Sequence, residues 1–271
     1  MHHVLRSSLV VLIATVSLEA AAAESGCEAP SADCVEVGEL DLSVSLGAGT
    51  RTNPVYGSGD IPLVLIPHFS YYGKRFFIDN LEAGFTLFEG EANTFNLVTT
   101  PGYDRVFFYD SDPQNVVVPL VGGAESPSAR IPVAPRRTTF LAGPEWLFDY
   151  GKLSGQVTAL YEYTGRHKGY ELRAAIAVPL VERRGTLVAS TGVTWKSTEL
   201  VEYFYGITDV YEPGSALNPF VKMAYDLPLS DRWAFKASAH YEYLDTEIAD
   251  SPIISDTGVV TAFAGFTYKI F

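Results

Sequence analysis

A strict alternation of apolar and polar residues over long stretches is the feature that most constrains this chain. Residues 233–243 read WAFKASAHYEY, in which the odd positions are all apolar or aromatic and most even positions are polar. The same pattern recurs at residues 39–48, 140–150 and 170–178. Side chains alternate between the two faces of a strand, so a period of two indicates β-strands with one apolar face. Helical periodicity of comparable strength does not occur.

The predicted strands are also long. Several hold 10 to 14 residues, whereas a usual strand has about 5 to 6 and a tilted strand that crosses a bilayer has roughly 9 to 11. Aromatic residues gather near strand ends, as a girdle at a membrane interface requires: Tyr150, Tyr161, Tyr163, Trp195, Tyr241 and Tyr243. A soluble β-sandwich would show shorter strands.

Short turns alternate with long connections along the chain. The long ones cover residues 101–137, 198–215 and 247–257. Outer-membrane barrels have short periplasmic turns and longer outer loops. The sequence therefore predicts an all-β fold, a transmembrane antiparallel up-and-down barrel over residues 38–271.

The alternation predicts twelve barrel strands. They cover residues 38–50, 61–72, 74–79, 81–88, 93–100, 138–150, 152–164, 168–180, 186–197, 216–228, 231–245 and 258–271. If residues 74–88 form one strand and 93–100 belong to a loop, the count is ten. Either number leaves a narrow interior that side chains mostly fill.

The last predicted strand, residues 258–271, ends on an aromatic residue. The face that carries Phe266 and Ile270 is wholly apolar, and the face that carries Lys269 is mixed. We expect this strand to close the barrel by pairing with the first, which leaves no free edge. A terminal aromatic resembles the signal by which outer-membrane proteins reach their insertion machinery, although Phe271 is out of phase with Ile270.

Residues 1–23 have the features of a secretory signal peptide. Basic Arg6 precedes a short apolar run, and an Ala-x-Ala site ends at Ala23. The run is shorter than the about 20 residues that span a bilayer as a helix. We expect cleavage after Ala23 and a periplasmic N-terminal segment at residues 24–37.

Two cysteines, Cys27 and Cys34, follow the predicted cleavage site. In an oxidising compartment they are positioned to form a small disulfide ring. A lipoprotein site at Cys27 is the weaker interpretation, because Glu24 stands where such signals carry an apolar residue. A metal site is disfavoured because no histidine lies nearby.

Composition and charge exclude further classes of partner and of membrane protein. The formal net charge is −13, which argues against a nucleic-acid partner and favours cations or basic partner surfaces. No run of 18 apolar residues follows the signal, which excludes membrane helices. We expect the outer membrane of a Gram-negative bacterium, with the lipid bilayer and lipopolysaccharide as surroundings.

The interior face of the predicted barrel carries charges of both signs. The acidic candidates are Glu39, Asp41, Glu82, Glu145, Asp149, Glu162, Glu171, Asp226 and Glu242. The basic candidates are Arg75, Arg173, Lys196, Lys222, Lys236 and Lys269. A network of paired buried ions is the simplest interpretation. A weakly cation-preferring conduit is the alternative, because acids outnumber bases.

Catalytic motifs are scarce. Three histidines follow the signal: His68, His167 and His240. The sequence has no Gly-x-Ser-x-Gly elbow, HExxH helix or Gly-rich phosphate loop. Glu242 would suit orienting His240, and Ser251 would suit a nucleophile, but Asp-Ser-Pro is ordinary turn chemistry. We expect no enzyme activity, no cofactor and no metal; a lipolytic barrel that uses His240 or Ser251 is the alternative.

Three stretches of the sequence resemble the MipA/OmpV family of outer-membrane proteins. YLDTEIADSPIISDTGVVTAFAGFTYKIF (243–271) resembles the family's last strand, loop and strand. VEYFYGITDVYEPG (201–214) resembles its aromatic loop, and YYGKRFFIDNLEAGFTL (71–87) resembles its Y-x-G-x-x-F stretch. The segment 101–137 is longer and richer in proline than the family pattern.

The resemblance implies an outer-membrane barrel that in some members is a scaffold for murein enzymes and in others is associated with antibiotic susceptibility or adhesion. We therefore expect a non-enzymatic scaffold or interaction protein whose partner is a periplasmic murein hydrolase or synthase. Candidate interaction residues in the outer loops are Tyr203, Phe204, Tyr205, Asp250, Ser251 and Pro252. Loops folded into a plug, a small cation-preferring channel and a surface adhesin are the alternatives.

Overall fold

Twelve antiparallel strands form a closed barrel in this protein. The structure is a computed structural model that describes residues 38, 40–108, 117–119, 128–130 and 136–270. The predicted all-β barrel and its twelve strands are confirmed. The ten-strand alternative is wrong for two reasons. Residues 74–88, which it assigns to one strand, contain a hairpin, and residues 93–100, which it assigns to a loop, pair within the barrel wall.

The observed strands end within two residues of the predicted bounds. The barrel strands are β1 (Leu40–Arg51), β2 (Ile61–Tyr72), β3 (Phe76–Asp79), β4 (Glu82–Glu89), β5 (Asn93–Pro101), β8 (Phe140–Tyr150), β9 (Leu153–Glu162), β10 (Tyr170–Glu182), β11 (Thr186–Lys196), β12 (Ala216–Pro228), β13 (Trp233–Tyr243) and β14 (Gly258–Lys269). Two short strands, β6 (Val117–Pro119) and β7 (Ser128–Arg130), pair with each other in a separate sheet.

β14 closes the barrel, as the sequence predicts. It pairs antiparallel with β1 from Ser43 opposite Lys269 to Arg51 opposite Thr261. On its other side it pairs with β13 along the whole of that strand. The first and last strands therefore leave no free edge at the closure, which a sheet in hydrocarbon requires.

The faces of the strands follow the sequence pattern. In β13, Trp233 is 48% exposed and its neighbour Ala234 is 3% exposed. In β14, Phe266 is 51% exposed, whereas Phe263 and Thr267 are buried. Large apolar side chains on the outside and polar ones inside are the arrangement that lipid imposes on a barrel.

The wall is irregular beside β2. β2 pairs with β1 along its length, but it pairs with β3 only over Ser70–Tyr72. The β3–β4 hairpin reverses early at Asn80, whose φ is 52°, between the predicted strands 74–79 and 81–88. A 3₁₀ helix at Tyr103–Phe108 supports this region, because its Val106 packs against the buried cluster of Leu63 and Phe263.

The two ends of the barrel differ. Short turns connect β2 to β3, β4 to β5, β8 to β9, β10 to β11 and β12 to β13 at the end where β1 begins; we call it the turn end. The connections 102–139, 197–215 and 244–257 lie at the opposite end, which we call the loop end. The helices among the described residues are too short and too polar to cross a membrane.

Candidate functional site

Three connections fold into the barrel at the loop end and form a plug. The plug consists of the 3₁₀ helix, α1 (Thr198–Tyr205) with Gly206 and Ile207, and α2 (Thr246–Ala249) with the residues up to Ile254. Its apolar side chains make one buried cluster with residues of the surrounding wall. The cluster includes Val98, Phe107, Phe108, Leu141, Leu160, Leu200, Val201, Phe204, Tyr205, Ile248, Ile253 and Val259.

Local sequence explains both helices of the plug. In α1, Leu200, Val201 and Phe204 are buried on one face, while Glu202 is exposed on the other, which is an amphipathic pattern. α2 begins after Asp245, whose carboxylate accepts the backbone N–H of Glu247 at 3.0 Å and so caps the helix.

A buried ion pair holds the 3₁₀ helix to the wall. The Lys196 ammonium lies 2.7 Å from the Asp104 carboxylate, and the Tyr205 hydroxyl donates a hydrogen bond to the same carboxylate. Burial would raise the pKa of Asp104, but the charge and hydrogen bond of Lys196 together with the Tyr205 hydrogen bond outweigh it and lower that pKa below its usual range. Burial and the Asp104 carboxylate raise the pKa of Tyr205 well above its ordinary value. Lys196 is therefore paired with a charged carboxylate.

Two further hydrogen-bond groups fix the end of α1. The Arg136 guanidinium donates to the carbonyl oxygens of Phe204 at 3.1 Å and Gly206 at 2.8 Å. The Ser251 hydroxyl donates to the carbonyl of Tyr205 at 2.6 Å. The last carbonyls of a helix lack partners within the helix, and these side chains supply them.

The turn between β9 and β10 packs against the same helix. The Glu162 carboxylate accepts backbone N–H groups from Arg166, His167 and Lys168. The His167 ring lies 5.5 Å from the Tyr203 ring, centroid to centroid. Burial lowers the pKa of His167 despite the nearby Glu162. We therefore assign this histidine a packing role.

Three of the six loop residues that the sequence proposes for interaction are buried. Phe204 and Tyr205 are 0% exposed and Ser251 is 2% exposed. Phe204 and Tyr205 are therefore not available as outer-loop interaction residues, which corrects that prediction for these two, because their rings fill the loop end of the barrel. Tyr203 and Pro252 are half-buried and Asp250 is exposed. Cys27 and Cys34 lie outside the described residues.

The two candidate catalytic side chains have other contacts. The Ser251 hydroxyl donates its hydrogen bond to the Tyr205 carbonyl. The centroid of the His240 ring lies 5.3 Å from that of the Phe220 ring. Among the described residues no three His, Cys, Asp or Glu side chains are placed to hold a metal ion.

A cavity of about 120 Å³ lies inside the barrel below the plug. Its wall includes strands β9 to β14 and β1, and the 3₁₀ helix lies over it. Charged side chains of both signs line it: Arg51, Arg173, Lys196, Lys222, Asp104, Glu171 and Glu242. Arg173 pairs with Glu171 at 2.5 Å, and the Asn218 amide donates to Glu242 at 2.8 Å.

Further ion pairs lie in the barrel toward the turn end. Lys269 lies 2.8 Å from Asp41, and Lys236 lies 3.0 Å from Asp226. The predicted network of paired charges is therefore present among the described residues. The prediction that Arg75 faces the interior is wrong, because Arg75 lies exposed in the turn between β2 and β3. Glu39 is outside the described residues.

The outer surface carries the expected aromatic residues. Tyr150 is 56% exposed at the turn end, and Tyr163 is 55% exposed at the loop end. Between them the outside is aliphatic, with exposed side chains such as Leu172, Ile176 and Val221. This is the belt and girdle arrangement of a barrel in lipid.

Sequence reasoning missed Asp104 and Arg51. Asp104 lies in the connection that the sequence assigns to an outer loop, and its partner Lys196 is 92 residues away. Arg51 lies just past the predicted end of the first strand. Arg51 occupies an odd-numbered position of β1, and the odd-numbered positions of this strand face the interior, as Ser45 does. This alternation was the one feature of the sequence that could have identified Arg51 as an interior residue.

Comparison with known proteins gives consistent matches. The family model described as "MltA-interacting protein MipA" matches residues 46–270. YiaT of Escherichia coli (strain K12), which is named as an outer membrane protein, is 23% identical over 84% of this chain and 91% of its own length. The MltA-interacting protein of the same strain is 21% identical over 85% of this chain and 91% of its own.

Among solved structures, a loop-deletion mutant of OmpT, an outer membrane protein of Vibrio cholerae, is 9% identical. The match covers 86% of this chain and 100% of that one, with a TM-score of 0.35. The assignment of the barrel depends on its own strand pairing and not on this similarity.

Proposed function

This chain belongs to the MltA-interacting protein MipA family of outer-membrane barrels, and we propose that it is a non-enzymatic scaffold that holds a murein enzyme on the periplasmic side of the outer membrane. The proposal places the turn end in the periplasm and the loop end outside, as in other outer-membrane barrels. A murein enzyme is the partner class because the name of one relative states an interaction with MltA.

The plug is the observation that carries this proposal. Conduction needs a continuous polar path, whereas the loop end of this barrel is filled by buried apolar side chains such as Leu200, Phe204 and Ile248. The barrel is thereby a rigid, closed body anchored in lipid, which suits a platform better than a pore. The apolar side chains that fill the loop end also argue against the cation-preferring channel.

The periplasmic contact is proposed for residues 24–37 and the turns of the turn end. Residues 24–37 contain four acidic residues (Glu24, Glu28, Asp33 and Glu36) and no basic residue. Such a segment favours a basic patch on its partner, because complementary charge accelerates association and selects the partner.

Deletion of residues 26–35 tests the proposal. Membrane extracts carrying the parent or the deleted protein are passed over an immobilised murein hydrolase, and the retained barrel is quantified. We expect retention to fall at least tenfold with the deletion while the barrel still assembles. A scrambled version of residues 26–35 with the same charge separates a charge effect from a sequence effect.

Trimming residues 112–130 at the loop end is the matched control. The cut begins after Phe108 because Phe107 and Phe108 belong to the plug. We expect unchanged retention. If this trimming abolishes retention and the 26–35 deletion does not, the contact lies at the loop end, and the periplasmic scaffold is refuted in favour of a surface interaction.

A further inference from the structure

We propose that the cavity below the plug is a binding site for a small oxyanion, a carboxylate or a phosphate, held chiefly by Arg51 and Arg173. This inference concerns the interior of the barrel and does not depend on the scaffold function. It depends on the size of the cavity, on the absence of an ion pair for Arg51 among the described residues, and on two buried guanidinium nitrogens that have no acceptor among those residues.

The cavity has room for a ligand. Its volume is about 120 Å³, whereas one buried water needs roughly 10 to 15 Å³. The space below the plug is therefore about eight to twelve times the minimum for one water, which suits a phosphate ion or a short carboxylic acid. Small side chains on the wall, including Ala175, Ser190 and Ser238, leave this space open.

The cavity lining carries charges of both signs. Arg51, Arg173, Lys196 and Lys222 contribute four cations, and Asp104, Glu171 and Glu242 contribute three anions. Two of the anions are neutralised by direct pairs, Asp104 with Lys196 and Glu171 with Arg173. Arg51 forms no ion pair among the described residues, so a negatively charged guest would supply the counter-charge that this guanidinium lacks.

Arg51 has few acceptors for its N–H groups. It is 9% exposed, and its one hydrogen bond to the described residues, from Nη1 to the Thr261 hydroxyl, is long at 3.5 Å. The buried Nε of Arg51 has no partner among the described residues. A guanidinium has five N–H donors, and leaving such a donor buried and unpaired costs free energy. An anion in the cavity would remove that cost.

Arg173 has the same deficit on the opposite wall. Its Nε pairs with Glu171, but its buried Nη2 has no partner among the described residues. Both guanidinium groups are held against rings of the 3₁₀ helix, Arg51 at 5.1 Å from the Phe107 centroid and Arg173 at 5.2 Å from that of Tyr103. The plug therefore holds two planar donors in place, and planar guanidinium groups match the geometry of carboxylate and phosphate oxygens.

The test uses the full-length barrel, purified in a nonionic detergent so that the detergent brings no phosphate. Inorganic phosphate and acetate are titrated by calorimetry against chloride at matched ionic strength. We expect saturable binding of at least one oxyanion and none of chloride. The tighter of the two oxyanions identifies the source, phosphate or carboxylate.

Two variants locate the site. Arg51→Gln removes one guanidinium without breaking an observed ion pair, and we expect the dissociation constant of the oxyanion to rise about tenfold or more. Ala175→Leu fills the cavity without changing its charge, and we expect binding to be lost. Lys152→Gln removes a positive charge from an exposed pair and is expected to leave binding unchanged.

Folding of each variant is checked by heat-dependent migration in gels, and Ala175→Leu keeps the test decisive if Arg51→Gln fails to fold. Absence of saturable binding by the parent protein refutes the site, because the cavity then holds only water. Binding that neither Arg51→Gln nor Ala175→Leu weakens also refutes it, since the anion then binds elsewhere.

Discussion

Gly84 and Phe77 show how single residues fit the narrow interior of this barrel. They are directly opposite each other in the β3–β4 ladder, and the Phe77 ring occupies the space above the glycine. A Cβ at position 84 would stand 2.2 Å from that ring. Gly192 lies under Phe220 in the same way in the β11–β12 ladder. Cross-strand pairs of this kind admit an aromatic ring where two side chains would collide.

Gly84→Ala is therefore expected to destabilise the barrel. The added methyl group must displace a ring that already stacks on Tyr72, and overpacking of this kind costs about 1–3 kcal/mol. Urea titration of the protein refolded in lipid vesicles measures the change in unfolding free energy. Gly59→Ala is the control, because a Cβ there meets nothing within 4 Å; equal effects at both positions would contradict the explanation.

Ala239→Arg tests the assignment of the lipid-facing side. Ala239 is exposed on the outside of β13, whereas Ser238 lines the internal cavity. An arginine near the bilayer midplane costs roughly 2–4 kcal/mol, so we expect that loss for Ala239→Arg and a smaller one for Ser238→Arg. Unfolding titrations in lipid compare the two variants, and equal tolerance of both would show the faces to be misassigned.

At the scale of the elements, the plug depends on one ion pair more than on any propensity of its helices. α1 has 8 residues and α2 has 4, and helices this short are not stable alone. They are held by burial of their apolar faces and by Lys196, Asp104 and Tyr205, which connect the 3₁₀ helix, α1 and β11.

Lys196→Met is expected to loosen the plug. It leaves the Asp104 carboxylate buried without its counter-charge, which typically costs about 3–5 kcal/mol. We expect current in planar bilayers from this variant and none from the parent protein. Lys152→Met breaks an exposed pair, should cost less than about 1 kcal/mol and should give no current. Silent bilayers with Lys196→Met would show that the plug does not depend on this pair.

At the scale of the whole molecule, the barrel is closed by its own strands without a contribution from residues 24–37 of the sequence. The first barrel strand begins at Leu40, and both cysteines precede it in the sequence. We therefore expect the stability of the barrel to be independent of the predicted disulfide, and we expect the predicted export of residues 24–37 to decide the oxidation state of the cysteines.

The cysteine pair gives a prediction at this scale. Protein isolated without reductant is expected to contain no free thiol, because Cys27 and Cys34 lie close together in an exported segment. Replacing both by serine should leave the unfolding free energy of the barrel unchanged. Quantitative thiol labelling and an unfolding titration check the two parts; labelled native protein or a double variant that does not fold would disprove them.

The sequence by itself determined the strands, their faces and the closure of the barrel. Alternation from Trp233 to Tyr243 is a local pattern, and lipid outside and polar groups inside force it on each strand separately. The tertiary structure alone decided that Phe204 and Tyr205 point inward and that Asp104 meets a lysine 92 residues away. An apolar loop sequence is compatible both with a loop that contacts a partner and with a loop that fills its own barrel. The choice depends on the space left inside a closed sheet, and that space exists only once all twelve strands are paired.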